Sequence, residues 1–185
     1  MLMNRLTSQL LVIDIQERLA PAVLDPEEVI DNTVKLLAAA QRLGVPVTVS
    51  EQYPRGLGHT VPQLRDALGN AAAVHDKLAF SCLKAPALAD RLAAMRAGGR
   101  HQVIVAGMEA HVCVAQTALD LQAHGYMVFA VADAVSSRKR SSLDLALARM
   151  RQHGVHTVDC EMVIFEWLEA AGSEEFKALQ PLLKG

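Results

Sequence analysis

The sequence predicts an α/β fold: a three-layer, doubly wound domain with one six-stranded parallel sheet and helices on both faces. Three observations carry that expectation. Strand-like and helix-like segments alternate from Gln9 to Leu183. The strand segments are short continuous apolar runs, as in strands buried on both faces, rather than the alternating pattern of a half-solvated sheet. No composition break, internal repeat or low-complexity tract divides the 185 residues, a length that ordinarily makes one domain. Right-handed crossovers leave few other ways to close such an alternation, so residues 1–185 are read as a single domain.

Taken in order, Gln9-Leu-Leu-Val-Ile-Asp-Ile15 is the first strand and carries a carboxylate, Asp14, near its end. Asp25 reads as the N-cap of the first helix, with Pro26 at its first position and Glu27 and Glu28 in the opening turn; Gly44 stops it. Val45–Val49 is the second strand. The segment Ser50 to Thr60 holds Pro54, Gly56 and Gly58 and is a loop of a length that often carries function. A short helix over Val61–Leu68 precedes a weak strand at Ala73–Asp76, whose mixed polarity suggests an edge, and Lys77 follows it. Pro86–Ala97 is helical by composition and closes with Gly98-Gly99.

Gln102–Ala106 is the fourth strand. Gly107 breaks it, and from His111 the spacing of Val112, Ala115 and Leu119 turns helical as far as Gly125. Met127–Ala132 is the fifth strand, and the polar segment Asp133–Arg140 leads into a helix over Ser142–His153 that Gly154 ends. Val155–Asp159 is the sixth strand. Two short helices, Glu161–Ala170 and Glu174–Leu183, follow with Gly172 between them.

Composition narrows the function classes. An apolar content of 51% with 21% charged residues reads as a globular protein with an ample core. A net charge of −2, with no basic run longer than Arg138-Lys139-Arg140, gives no case for a nucleic-acid partner. Cys82, Cys113 and Cys160 are odd in number and widely spaced, which argues against a disulfide framework and fits reduced thiols in a cytoplasmic setting. No signal-peptide layout opens the sequence and no apolar run approaches about 18 residues, so neither secretion nor a membrane partner is expected.

In doubly wound sheets the site lies beyond the carboxyl ends of the strands. Asp14, Lys77 and Cys113 each fall at such an end. Cys113 sits near a strand-to-helix turn, where unpaired N–H groups and the positive end of a helix dipole lower a thiol pKa and supply donors for an oxyanion. The alternative is one more buried packing cysteine, since free Cys is among the most buried residue types. Asp14 is suited to take the thiol proton and later deliver it to a leaving amine. Lys77 beside them would favour both the thiolate and the ionised carboxylate. Cys82 and Cys160, without strand-end partners, are read as packing residues.

With Asp14 in Val12-Ile-Asp-Ile-Gln16, Lys77 in Lys77-Leu-Ala-Phe-Ser81 and Cys113 after Gly107-Met-Glu-Ala-His-Val112, the sequence resembles the isochorismatase-like cysteine hydrolases, a superfamily that includes nicotinamidases and carbamoylsarcosine amidohydrolases. The resemblance runs from about Leu10 to Lys184. It implies the strand order 3-2-1-4-5-6, which also places Asp14 and Cys113 on adjacent strands. It implies an Asp14–Lys77–Cys113 triad working through an acyl-thioenzyme that a water activated by Asp14 hydrolyses. It further implies a cis Met108–Glu109 peptide and an oxyanion hole from the backbone amides of Glu109 and Cys113. Gln16, Tyr53, Leu57, Phe80 and His111 flank the motifs and are candidate pocket residues, with Glu109 beside them; Arg138 is a candidate contact for an anionic group or a surface salt bridge.

The sequence departs from nicotinamidases at their Asp-x-His metal motif, where Gln52 and Pro54 stand; neither is a zinc ligand, so no metal and no other cofactor is expected. A cysteine at the nucleophile position argues for acyl chemistry rather than vinyl-ether cleavage. The expected activity is therefore metal-independent hydrolysis of a small amide-like C–N bond in a small-molecule substrate. The competing reading is a binding or scaffold member of the same fold without meaningful turnover. The resemblance also implies a homo-oligomer, formed through the final helices around Phe165, Trp167 and Phe176.

Overall fold

The computed structural model describes residues 1–68 and 72–183. Six strands, β1 (Ser8–Ile13), β2 (Val47–Gln52), β3 (Ala73–Lys77), β4 (Gln102–Met108), β5 (Met127–Ser136) and β6 (His156–Val158), form one sheet in the order β3-β2-β1-β4-β5-β6. Every adjacent pair is parallel. This is the expected architecture and strand order. β1 is paired with β4 along its whole length and with β2 from Leu10 to Ile13, and the run from Ser8 to Ile13 is buried throughout.

Successive residues along the central strands feed opposite faces of the sheet, as a period of two requires. Leu10 and Val12 of β1, with Ile104 and Ala106 of β4, meet the helices α1 (Pro26–Leu43), α7 (Cys160–Leu168) and α8 (Glu174–Leu183). Leu11 and Ile13, with Val103 and Val105, meet α4 (Pro86–Ala97), α5 (Ala115–Ala123) and α6 (Arg140–Gln152). Both cores are lined by aliphatic side chains, so the sheet is sandwiched and its strand ends are the open part.

Several expectations are corrected at element ends. Asp25 does not cap α1: it has a left-handed backbone (φ 47°), its side chain bonds no helix amide, and its carboxylate instead reaches Arg140 at 3.1 Å. β2 starts two residues late and continues to Gln52, and β5 runs on to Ser136 through an irregularity opposite Gly107. The expected loop over Ser50–Thr60 thus begins as strand and also contains a short helix, α2 (Pro54–Leu57), ahead of α3 (Pro62–Leu68).

Trp167 is not part of an exposed apolar face. It is fully buried, and its Nε1 donates to Ser8 Oγ at 3.0 Å. Phe165 stays exposed, and its ring lies 6.5 Å from that of Phe176. Replacing Trp167 by Phe keeps much of the volume but leaves the Ser8 hydroxyl without its donor, and is expected to cost about 1–2 kcal/mol in a urea melt. An unchanged midpoint would show that the indole hydrogen bond contributes nothing.

Candidate active site

The register of the sheet builds the site. Ile13, the last residue of β1, pairs with Ser50 on one side and with Gly107 on the other. Gly107 has φ 139°, and a Cβ there would collide with the Ile13 carbonyl, so only glycine lets β4 approach β1 this closely. Asp14 follows with a left-handed backbone (φ 54°), a region that Asp tolerates better than most residues. Its amide donates to Ser50 O at 3.0 Å, and its side chain is fully enclosed.

Both carboxylate oxygens of Asp14 are engaged. Ser50 Oγ donates to Oδ1 at 2.7 Å, and Lys77 Nζ donates to Oδ2 at 2.6 Å. The β2–β3 register pairs Gln52 with Lys77, and Gln52 Oε1 accepts a second bond from Nζ at 2.7 Å. The Cys113 thiol points at the same Oε1 from 3.9 Å. Asp14, Lys77 and Cys113 are thus brought into one enclosed cluster, with Gln52 touching two of them.

Burial is the largest influence on every titrating group here. It pushes the Asp14 carboxyl above its ordinary value, with Lys77 and Ser50 pulling it part of the way back. It pulls the Lys77 ammonium down, but the negative charge of Asp14 and that available to Cys113 outweigh it, and the net direction is up. The Cys113 thiol is pushed well up by burial and then by Asp14, with Lys77 opposing. That overturns the expectation of a lowered thiol pKa: position at a helix start matters less than a dry site with a carboxylate next door.

The turn that carries Cys113 is not a simple helix start. The Met108–Glu109 peptide is cis, and Ala110–Val114 form a π-helical turn ahead of α5, a widened geometry frequent at functional sites. The amides of Val112 and Val114 both donate to Glu109 O, at 3.0 and 3.2 Å, while the intervening Cys113 amide is passed over by that carbonyl. The Glu109 carboxylate turns away to Arg138, whose Nε lies 2.9 Å from Oε2 and whose amide lies 3.2 Å from the same oxygen. Arg138 is thus in a salt bridge at the surface.

The candidate pocket residues divide. Gln16 is fully buried, its Nε2 donates to Gln52 O and Gly58 O, and its Oε1 accepts from the Gln52 amide, so it pins the loop instead of facing a pocket. Tyr53 is half exposed and lines a cleft of about 330 Å³ with Pro54, Arg55, Asp76, Lys77 and Leu78. Phe80 is also half exposed on the segment after β3, but neither it nor Leu57 nor His111 lines that cleft. His111 Nδ1 pairs with Ser137 Oγ at 2.9 Å.

Sequence reasoning missed Ser50, Gln52 and Glu51. The first two hold Asp14 and Lys77. Glu51 is buried and accepts from both the amide and the hydroxyl of Thr60 at 2.7 Å, with His59 Nδ1 at 2.9 Å from its other oxygen. Burial would raise its pKa, but those partners together hold it below the ordinary range. The available signal was three consecutive polar residues directly after an apolar run. Cys82 is a buried core residue, as expected of a packing cysteine, and its thiol is pushed up to about 11 by burial and then by Asp14. Cys160 lies apart at the start of α7, pushed up to about 12 by burial and Asp133. Among the described residues no group of three or more His, Cys, Asp and Glu gathers as a metal site would require, and Gln52 and Pro54 offer no carboxylate or imidazole where nicotinamidases bind theirs.

Comparison with known proteins shows the family and the fold. The Isochorismatase domain profile matches residues 8–162. The chain is 39% identical over 176 residues to isochorismatase domain-containing protein 2 of Danio rerio, covering 95% of this chain and 86% of that protein. The solved structure of the MAR1 ribonuclease from Caenorhabditis elegans superposes with a TM-score of 0.93 at 37% identity, covering 100% of this chain and 93% of that one. The YcaC gene product of Escherichia coli, described as an octameric hydrolase of unknown specificity, shares the fold with a TM-score of 0.89 at 22% identity over 98% of this chain and 90% of that one. By profile, by sequence and by strand order, this chain belongs to the isochorismatase family, a family of hydrolase fold.

Proposed function

We propose that the protein is a metal-independent cysteine hydrolase of a small, amide-like C–N bond. The observation that carries this reading is the enclosed Asp14–Lys77–Cys113 cluster at the carboxyl ends of β1, β3 and β4. Cys113 Sγ attacks the substrate carbonyl carbon as its proton passes to Asp14. The amides of Glu109 and Cys113 receive the carbonyl oxygen as it becomes an oxyanion. Collapse of that intermediate expels the amine, which takes the proton from Asp14 and leaves a thioester on Cys113. Asp14 then removes a proton from water, which attacks the thioester carbonyl; the S–C bond breaks, the acid product leaves, and Asp14 returns the proton to the Cys113 thiolate. The raised pKa of Asp14 suits a group that must hold a proton between those steps. Lys77 keeps the carboxylate ionised until the thiol yields its proton.

Screening small amides, carbamoyl compounds and ureides, with mass spectrometry for acylated Cys113, tests the reading. An acyl adduct confined to Cys82 or Cys160, or none with any substrate that turns over, would sink it. The buried thiol also sets a pH dependence. A raised thiol pKa means less thiolate at pH 7 than a free cysteine has. Iodoacetamide alkylation of Cys113 should therefore keep rising, close to tenfold per unit, from pH 7 to 9. A plateau reached below pH 8 would mean a depressed thiol pKa instead.

The substrate class extends to partners and setting. RNA is not the substrate favoured here, although one structural neighbour is named a ribonuclease: the net charge is −2, and Arg138 and Arg140 of the one basic run are paired with Glu109 and Asp25. Incubation with single-stranded RNA should leave it intact. Reduced cysteines fit a cytoplasmic enzyme, and among the described residues no helix is long and apolar enough to cross a membrane. A homo-oligomer is part of the proposal. With Trp167 buried, its contact surface falls to the exposed Phe165, Met162, Leu2 and Leu6 or to Tyr53, Leu78 and Phe80. Light scattering should give a mass of at least twice 20.0 kDa.

A further inference from the structure

We infer that Arg138 is a positioning residue for acyl transfer, acting through the Glu109 side chain on the turn that supplies the oxyanion donors. The inference rests on the cysteine-hydrolase reading above and assigns a role to two side chains that the triad does not use.

The Glu109 carboxylate is the only carboxylate on the Met108–Val114 turn, and it is nearly enclosed, with 9% of its side chain exposed. A carboxylate so placed needs partners. It finds them on the segment leaving β5: Arg138 supplies both its amide and its Nε to one oxygen, Oε2. The same segment grips the turn a second time, where Ser137 Oγ meets His111 Nδ1 at 2.9 Å. That segment is itself held, because the Leu24 amide donates to Ser137 O at 3.1 Å. The turn between β4 and α5 is thus tied to a fixed neighbour at Glu109 and at His111, both just ahead of Cys113.

Oxyanion stabilisation depends on donors set in place before charge develops, and misplacement by a fraction of an ångström is costly. The Glu109 amide belongs to the residue whose carboxylate Arg138 holds. Arg138 itself is 60% exposed along its side chain, so it contributes little packing, and its replacement threatens the fold far less than a core change would. A role in the reaction and a role in stability are separable here.

The test compares two reagents on the same thiol. p-Nitrophenyl acetate acylates Cys113 through a tetrahedral oxyanion: the Sγ–carbonyl bond forms, p-nitrophenolate leaves, and the thiol proton goes to Asp14. Iodoacetamide alkylates the same sulfur by direct displacement of iodide, with no oxyanion. In Arg138→Gln, acylation of Cys113, read by peptide mass spectrometry, should slow about tenfold or more, while alkylation stays within about twofold of the wild type. Arg138→Lys, which keeps the cation without the Nε donor, should fall between the two. Glu109→Gln should share the acylation defect.

Equal slowing of both reactions would mean general loss of access or order and would overturn the inference. So would unchanged acylation in Arg138→Gln, the result expected if this arginine instead recognises an anionic group on the substrate. Failure of the wild-type protein to acylate at Cys113 at all would sink the cysteine-hydrolase reading itself, and the role of Arg138 with it.

Discussion

Cys113→Ala is expected to abolish turnover, by at least about 10⁴-fold, while leaving the fold intact. In the proposed sequence the acyl group is carried on Sγ between the two halves of the reaction, and no neighbouring group can replace it: Asp14 is held on both oxygens, Lys77 is bound to Asp14 and Gln52, and Cys82 lies buried with its thiol pushed up to about 11. The structural loss is small, one sulfur atom from a side chain already in contact with apolar neighbours, costing on the order of 1 kcal/mol. Cys113→Ser should be nearly as inactive, because a hydroxyl is a far weaker nucleophile than a thiol. The measurement is hydrolysis of whichever amide the screen returns, followed alongside the urea melt. Residual activity above about one per cent in Cys113→Ala would point to direct attack by water activated by Asp14, and would leave Cys113 as a packing residue.

The strand ends were legible in the sequence because buried parallel strands announce themselves as apolar runs, and the residue that closes each run lands on the rim. That logic places Asp14 on the rim; Lys77 ends a strand of mixed polarity and Cys113 lies on the turn after β4, so both stood out by residue type beside a strand end rather than by closing an apolar run. It did not find Gln52. β2 continues three residues beyond its apolar part, and Ser50, Glu51 and Gln52 look like loop because their polar side chains are satisfied by partners outside the strand: Asp14 and Lys77 far away in sequence, and Thr60 within the following loop. Only register brings Gln52 beside Lys77. Trp167 failed for a related reason: on a short helix at the end of the chain it reads as surface, yet its indole nitrogen finds Ser8 in β1. The thiol pKa failed because a helix start is a local feature, whereas dryness and a neighbouring carboxylate are properties of the assembled site.

The second large effect concerns the pair that makes the site dry and charged at once. Asp14 and Lys77 have no exposed side-chain surface, and removing either leaves the other as an uncompensated buried charge. Lys77→Met and Asp14→Leu should therefore each destabilise the fold by about 3–5 kcal/mol. The double variant should recover much of that loss, since two apolar side chains of similar volume need no desolvation and no partner. Ser50 and Gln52, which lose a partner each, limit the recovery to part of the total. Catalysis will not recover with it: the double variant has neither a base for the thiol nor a cation to hold one, and acylation of Cys113 should stay at the background rate. That separation is what distinguishes a pair kept for chemistry from one kept for stability. If the double variant were no more stable than either single one, the pair would be holding the strand ends together through its own hydrogen bonds, and the scaffold reading would gain what the hydrolase reading lost.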